Sequence, residues 1–480
     1  MSFRNYFHRR GYQGIQSANR PTKTRIAAQK LEAIAEDEDR LPPRPGQWFF
    51  LMIVASFVGA AAGLVGGAFR IALMELARGR AEMIFWSHQH GMWWFGWIFP
   101  TSLCAVGAGA ACYLTQRLAP QTAGSGIPRV ESVLRHHLRP ATFWILPVKF
   151  VGGALGIGSG LALGREGPTV QMGGTIGRLT SDVLARYLPE PWTLIAAGAG
   201  AGLAVAFNAP LAAVVFVVEE LLHRFSARVF SATLMACISG TVVLRLMLGN
   251  ATEFGSPRLT LLPADVLPSY LLLGLLAGLL GVAFNVSLVA GMRVSERAAK
   301  WPLGAKGALV GAAAGLLAWY SPALVGGGEG LAQSAIVSGI PFRVLCVLML
   351  ARFALTISSY SSGAPGGIFA PLLALGALLG SGFAAAESVV LHQHQDQAPY
   401  AIVAMAACFT AVVRSPLTGV VLLLEMTGSW PLILPMMAAS VTAYAVPELW
   451  GNPPIYESLR ERDEAKEKAD RSTSAVPEHG

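Results

Sequence analysis

The sequence predicts an all-α, polytopic membrane protein made of two repeated halves, with helices broken near the bilayer midplane. Three observations carry this. The 480 residues are 53% hydrophobic and only 13% charged, against about 25% charged in soluble domains. Apolar segments follow one another closely, many of them interrupted by Gly or Pro. The second half repeats the glycine and proline spacing of the first. A content of 53 glycines suits helices whose backbones approach closely in lipid.

Residues 1–46 are polar and rich in Arg and Lys, with an acidic cluster at Glu36-Asp37-Glu38-Asp39. They lack the apolar core of a signal peptide and predict a cytoplasmic N-terminal tail. The first membrane half, 47–250, has apolar segments at roughly 48–79, 92–117, 142–163, 169–188, 192–206, 209–223 and 228–248. The second, 251–460, has them at roughly 266–292, 303–320, 342–360, 368–391, 400–413, 416–428 and 431–447. Several fall short of the ~20 residues that cross hydrocarbon. Short, broken helices in a membrane protein line a site rather than face lipid. Basic loops at Arg129–Arg139, His223–Arg228 and Arg293–Lys300 predict cytoplasmic placement, together with both termini. Residues 461–480 form a short charged cytoplasmic tail, expected to be disordered.

The repeat appears at an offset of about 200 residues. Ala62-Gly63-Leu64, Gly66, Ala68 and Phe69 recur as Ala277-Gly278-Leu279, Gly281, Ala283 and Phe284. Pro120, Gly124 and Gly126 recur at Pro322, Gly326 and Gly328. Gly164, Pro168, Gly173 and Gly177 recur with identical spacing at Gly367, Pro371, Gly376 and Gly380. Pro210-Leu211 with Glu219 recurs as Pro416-Leu417 with Glu425. Inverted repeats place substrate near the midplane, where half-helix termini from both halves converge.

Three glycine-rich breaks carry the chemistry: Gly124-Ser125-Gly126-Ile127-Pro128, Gly164-Arg165-Glu166-Gly167-Pro168 and Gly366-Gly367-Ile368-Phe369-Ala370-Pro371. Pro suits the first turn of a helix, and Gly lets the preceding backbone turn tightly. Each break therefore reads as a helix N-terminus at membrane depth. Such an end presents unpaired N–H groups and about half a positive charge, which attracts an anion. Binding by dipoles alone is weak enough for the ion to leave again. The simpler reading is that the breaks are kinks that only pack helices.

These three motifs, in this order, resemble the CLC family of chloride channels and proton-coupled chloride transporters. The strings Gly-Arg-Glu-Gly-Pro-Thr-Val-Gln, Phe-Asn-Ala-Pro-Leu-Ala and Gly-Ala-Pro-Gly-Gly-Ile-Phe-Ala-Pro carry the likeness, which spans about residues 48–460 and is strongest to bacterial chloride/proton exchangers. The resemblance implies a homodimer in the cell membrane, of bacterial inner-membrane type, with one pathway per subunit. It makes Glu166 the gating glutamate, whose carboxylate mimics the anion until a proton frees it. It makes Glu220 the internal proton-transfer glutamate that marks exchangers. Ser125, Tyr456 and the backbone N–H groups of Ile368 and Phe369 are then the chloride ligands, with Arg165 and Gly167 completing the set. Ser125 favours chloride, since nitrate-selective relatives carry Pro there, and Tyr456 argues against the fluoride-exporting branch.

From the residues alone, Glu219 and its repeat mate Glu425 suggest a shared capping role. Glu220 aligns with Met426 and is an acid in one half only, which suggests a directional task. Arg165 is a candidate partner for Glu131. Lys149, alone in an apolar span, either raises the local potential for anions or is paired or snorkelling. Net charge is +8, but the basic residues lie in the tail and short loops, so no nucleic-acid partner is expected. The five cysteines lie in apolar stretches without a C-x-x-C pair and read as small buried hydrophobes. Gly198, Gly200 and Gly202 lack the strand–helix setting of a dinucleotide loop. His88-Gln89-His90 and His392-Gln393-His394 read as solvated loop histidines rather than metal sites. No nucleophile–base pair or metal set lies within the spans, so an enzyme is not expected, nor a cofactor beyond the substrate ions chloride and H+. Chloride/proton exchange leads; a passive chloride channel of the same fold and a non-transporting scaffold remain the alternatives.

Overall fold

Repeat spacing becomes visible as paired helices in a computed structural model, which describes residues 45–91, 94–140, 142–188, 191–255, 264–298, 300–392 and 395–474. The chain divides into Met1–Trp48 and Phe49–Gly480. Of the first unit only 45–48, the opening of the first helix, are described. The predicted tail at 1–46 otherwise lies outside the described residues.

The first half comprises α1 (Pro45–Gln89), α2 (Ile98–Leu118), α3 (Ile127–Leu134), α4 (Ile145–Gly158), α5 (Glu166–Val183), α6 (Pro191–Phe207), α7 (Pro210–Phe216, continued by a π-helical turn Val217–Leu222) and α8 (Ala227–Leu248). The second repeats it: α9 (Leu267–Arg297), α10 (Ala305–Tyr320), α11 (Glu329–Val337), α12 (Phe342–Ser361), α13 (Phe369–Val390), α14 (Gln397–Val413), α15 (Pro416–Thr427) and α16 (Ile433–Leu449). Among the described helices only α17 (Ile455–Ser474) has no mate. Among the described residues no strand forms; β pairing is confined to two isolated bridges, Gly124–Pro365 and Gly164–Gly367. Among the described residues, seven helices are long and apolar enough to cross a membrane.

The centre holds the mates α6 and α14. At 17 residues each, they are about 26 Å long, short of the ~30 Å hydrocarbon core. They tolerate this because protein, not lipid, surrounds them: Thr193–Phe207 and Ala398–Val413 are buried throughout. The repeated glycines make the contact. A Cβ at Gly173 of α5 would collide with the Gly198 carbonyl of α6, and one at Gly380 of α13 would collide with the Tyr400 carbonyl of α14.

The halves also grip each other reciprocally. Glu425 at the end of α15 accepts the Leu211 and Ala212 N–H groups at the start of α7, at 3.1 and 2.8 Å. Glu219 accepts the Leu417 and Thr418 N–H groups at the start of α15, at 3.1 and 2.7 Å. Each helix begins with Pro and has no side-chain cap of its own, so its orphan donors are met from the other half. The exchange of identical contacts is the mark of a two-fold relation, and it bears out the shared capping role expected of these two acids.

Three expectations are corrected. Residues 461–474 are helical, with 475–480 outside the described residues: α17 runs to Ser474, and the expected boundary at 461 falls inside it. Its Glu, Lys, Arg and Ala favour helix, and its acids and bases pair with the rest of the protein. Short helices α3 and α11 escape a hydropathy reading because neither forms a long apolar run. His88 is not in a loop but in the last turn of α1, its ring 3.9 Å from that of Trp319. His90 caps that end through Nδ1 to the Trp86 carbonyl, and His394 lies outside the described residues. Among the described residues no metal-holding cluster of His, Cys, Asp or Glu occurs.

Candidate anion site

Each glycine-rich break does open a helix. Gly126, with φ of +83°, turns the chain into α3; α5 starts at Glu166 and α13 at Phe369. The breaks are hydrogen-bonded to one another. Gly164 N–H donates to Gly367 O at 2.8 Å and Gly367 N–H returns to Gly164 O at 2.7 Å. Gly366 N–H donates to Gly124 O at 3.0 Å, and Gly124 N–H to Ala364 O at 3.2 Å. This strip satisfies irregular backbone at membrane depth. It also holds three N-termini together, so their remaining amides and dipoles act on one region.

Glu166 is wholly buried in that region. Its Oε1 accepts the Phe369 N–H at 2.7 Å, and Oε2 has no hydrogen-bond partner among the described residues. The carboxylate lies over Gly164 and Gly367, where a Cβ at either position would collide with it. The two glycines thus leave a cradle lined by amides, and the side chain puts a negative group into it.

Below the cradle lie Ser125 and Tyr456. Both are buried, their hydroxyls neighbour each other, and neither hydroxyl has a partner with hydrogen-bond geometry among the described residues. Buried hydroxyls without partners are costly unless a ligand completes them. Ser125 N–H reaches the Tyr360 hydroxyl at 3.4 Å. Gly167 is glycine because a Cβ would meet the Ser125 backbone. Ile368 is buried directly before α13. The Phe369 ring is enclosed by Phe207, Phe216, Phe409 and Tyr456, with centroids 4.6–6.3 Å away. Large aromatics here keep water out and hold the Phe369 amide in place.

The cations serve the scaffold. Lys149 Nζ donates to the carbonyls of Thr122 and Gly124 at 2.9 and 2.7 Å. Arg352 does the same in the second half, to Leu324 O at 2.8 Å and to Gly327 O. Lys149 is therefore paired, by the carbonyls that lead into the first break. Arg165 turns its side chain away from the cradle: Nε donates to Ala206 O at 2.8 Å, and Nη2 pairs with Glu253, which also holds Arg70 at 2.8 Å. The expected Arg165–Glu131 pair does not form. Glu131 lies on α3 and pairs with Arg135 at 3.0 Å and Arg460 at 3.2 Å. What Arg165 can offer an anion is its place at the N-terminus of α5, not its guanidinium.

Glu220 is buried on the π-helical turn, and its Oε2 accepts the Ser415 hydroxyl at 2.5 Å. Adjacent acids face different ways on a helix, yet both reach the start of α15: Glu219 takes its amides and Glu220 its preceding serine. Sequence reasoning missed Arg352, Tyr360, Ser415 and Glu253. Only Arg352 had a signal, since it stands from Lys149 at the same spacing as Gly367 from Gly164.

The chain is similar in sequence and fold to known proteins. A family model described as voltage gated chloride channel matches residues 106–448. The chain is 41% identical over 436 residues to an H(+)/Cl(-) exchange transporter ClcA of Cronobacter sakazakii, covering 88% of this chain and 92% of that one. It is 39% identical over 435 residues to the ClcA exchanger of Klebsiella pneumoniae subsp. pneumoniae, covering 88% and 91%. Among solved structures, a slow cyanobacterial Cl−/H+ antiporter superposes with a TM-score of 0.82 at 33% identity, over 87% of this chain and 99% of that one. A CLC-type fluoride/proton antiporter, at TM-score 0.72 and 23% identity over 86% and 98%, shares the fold.

Proposed function

Because this chain belongs to the voltage-gated chloride channel (CLC) family, we propose that it is a secondary active transporter exchanging chloride for protons across a membrane. One observation carries the reading: the Glu166 carboxylate accepts a backbone N–H at a helix N-terminus, in a glycine cradle shared by both halves. A carboxylate there occupies the place of a chloride. Protonation removes its charge and its claim on the amide, the side chain leaves, and chloride takes the same donors. Chloride then passes between the hydroxyls of Ser125 and Tyr456 and the N–H groups of Ile368 and Phe369, with the backbone at Arg165 and Gly167 completing the N-terminus of α5. Glu220 hands protons between the cytoplasm and Glu166. We place the protein in the lipid bilayer of a bacterial inner membrane, as a homodimer with both termini cytoplasmic.

A passive chloride channel is the second reading. The buried Glu220 with its serine partner favours exchange, because an acid held in a dry interior for packing alone is costly. Liposomes containing purified protein, given an outward chloride gradient, decide between them. Exchange drives protons uphill into the liposomes and raises external pH, and a proton shunt abolishes the rise. Chloride efflux without uphill proton movement would establish the channel.

A further inference from the structure

The hydroxyls of Ser125 and Tyr456 sit at the starts of two helices that pack against each other. Ser125 immediately precedes α3, and Tyr456 lies in the first turn of α17. One carboxylate joins the two helices farther along. Glu464 Oε1 accepts the Ser132 hydroxyl at 3.0 Å, His137 Nδ1–H at 2.9 Å and Arg460 Nη1–H at 3.2 Å. Ser132 is on α3 and fully buried, His137 follows α3, and Glu464 itself is 8% exposed. The seam continues on both sides, through Arg460–Glu131 at 3.2 Å and Arg129–Glu467 at 3.1 Å. Ser132 lies seven residues beyond Ser125 and Glu464 eight beyond Tyr456, each about two helical turns.

We propose that Glu464 is a positioning residue for chloride: it ties α17 to α3 and thereby sets the spacing of the Tyr456 and Ser125 hydroxyls. Arg460–Glu131 and Arg129–Glu467 share the seam, and Glu464 is the group that takes donors from α3, from the segment after it and from α17 itself. Burial pushes the Glu464 carboxyl up, but the hydrogen bonds from His137 and Ser132, with the His137 and Arg460 charges, hold it below the usual carboxylate range. It stays ionised at cytoplasmic pH. Around it on α3 are Glu131, Arg129 and Arg135, and on α17 Arg460 and Glu467.

The inference rests on reading Ser125 and Tyr456 as chloride ligands, and calorimetric titration of the full-length protein with chloride separates the two claims. Glu464→Ala raises the chloride Kd about fivefold, and Glu464→Gln about half as much because it still accepts from Ser132. A merely structural seam would lower the melting temperature without moving the Kd. If wild type binds chloride and well-folded Glu464 variants bind it equally, the positioning role is overturned while the site stands. If wild type binds no chloride, both readings fall. Should Glu464→Ala not fold, Ser132→Ala and His137→Gln each remove one partner and carry the same comparison.

Discussion

The reciprocal carboxylate caps make a quantitative prediction about what holds the halves together. Glu425 accepts two backbone N–H groups of α7; Glu219 accepts two of α15 and also the Thr418 hydroxyl at 2.7 Å. Hydrogen bonds to a charged acceptor contribute about 1.5–3 kcal/mol each when buried, and an N-cap about 0.5–2 kcal/mol. One bond of each pair is solvent-exposed, so the lower end applies: about 2 kcal/mol for Glu425→Ala and about 3 kcal/mol for Glu219→Ala. The difference belongs to one hydroxyl, so Thr418→Val should remove it. In that background the two alanine variants should cost the same. Purified protein in detergent, unfolded by denaturant and followed by tryptophan fluorescence, measures this. A four-way cycle over Glu219 and Glu425 then tests whether the caps act as one interlock, seen as a coupling of about 0.5 kcal/mol or more. The reasoning fails if Glu425→Ala costs as much as Glu219→Ala with Thr418 intact, or if either variant is indistinguishable from wild type.

Further outcomes concern transport and the scaffold that supports it. Glu220→Gln should stop proton pumping in liposomes while chloride flux persists, and Ser415→Ala should slow proton movement several-fold with chloride flux retained; unchanged pumping in Glu220→Gln would remove that residue from the pathway. Glu166→Gln should make chloride flux independent of pH, since the group that competes with chloride can no longer ionise; a retained response in flux assays from pH 5 to 8 would count against the gate. Lys149→Met should leave the Thr122 and Gly124 carbonyls without their donor and lower unfolding stability by about 2–4 kcal/mol, whereas an unchanged denaturation midpoint would show that water replaces the ammonium.

What was legible in the sequence is what backbone geometry demands locally. A helix that starts in mid-membrane needs Gly to turn and Pro to start, so the breaks at Gly124, Gly164 and Gly366 stood out, and the structure joins them by the hydrogen bonds between Gly164 and Gly367. Contacts between distant segments were illegible. Glu253 holds Arg165 from a loop 88 residues away, and no periodicity links the two. The α17 helix is charged enough to read as a disordered tail. Its order comes from Ser132 and His137, over 300 residues earlier, which composition cannot reveal. Lys149 was ambiguous only because its mate was overlooked. Once Arg352 is set beside it, two cations in equivalent places, each clamping two carbonyls, identify a structural device repeated by duplication.

The departures from that duplication locate the directional chemistry. Where the first half has Glu220, the second has Met426, and where the second half has Ser415 before its proline, the first has Ala209. The acid and its serine meet across the two-fold relation, while the equivalent meeting place on the other side holds Met426 and Ala209. Everything around these positions is kept: the prolines, the caps at Glu219 and Glu425, the short helices α7 and α15. A buried acid with a serine partner thus stands on one face of an otherwise symmetric frame. A symmetric frame with two such acids would offer protons equal routes on both sides of the anion cradle. In the proposed exchange cycle, one acid gives the inner route a fixed station and leaves the outer route only Glu166, whose movement chloride opposes. Coupling in that cycle would follow from placement: the proton reaches Glu166 to cross only by displacing that carboxylate from the amide it accepts, the same donor proposed for chloride.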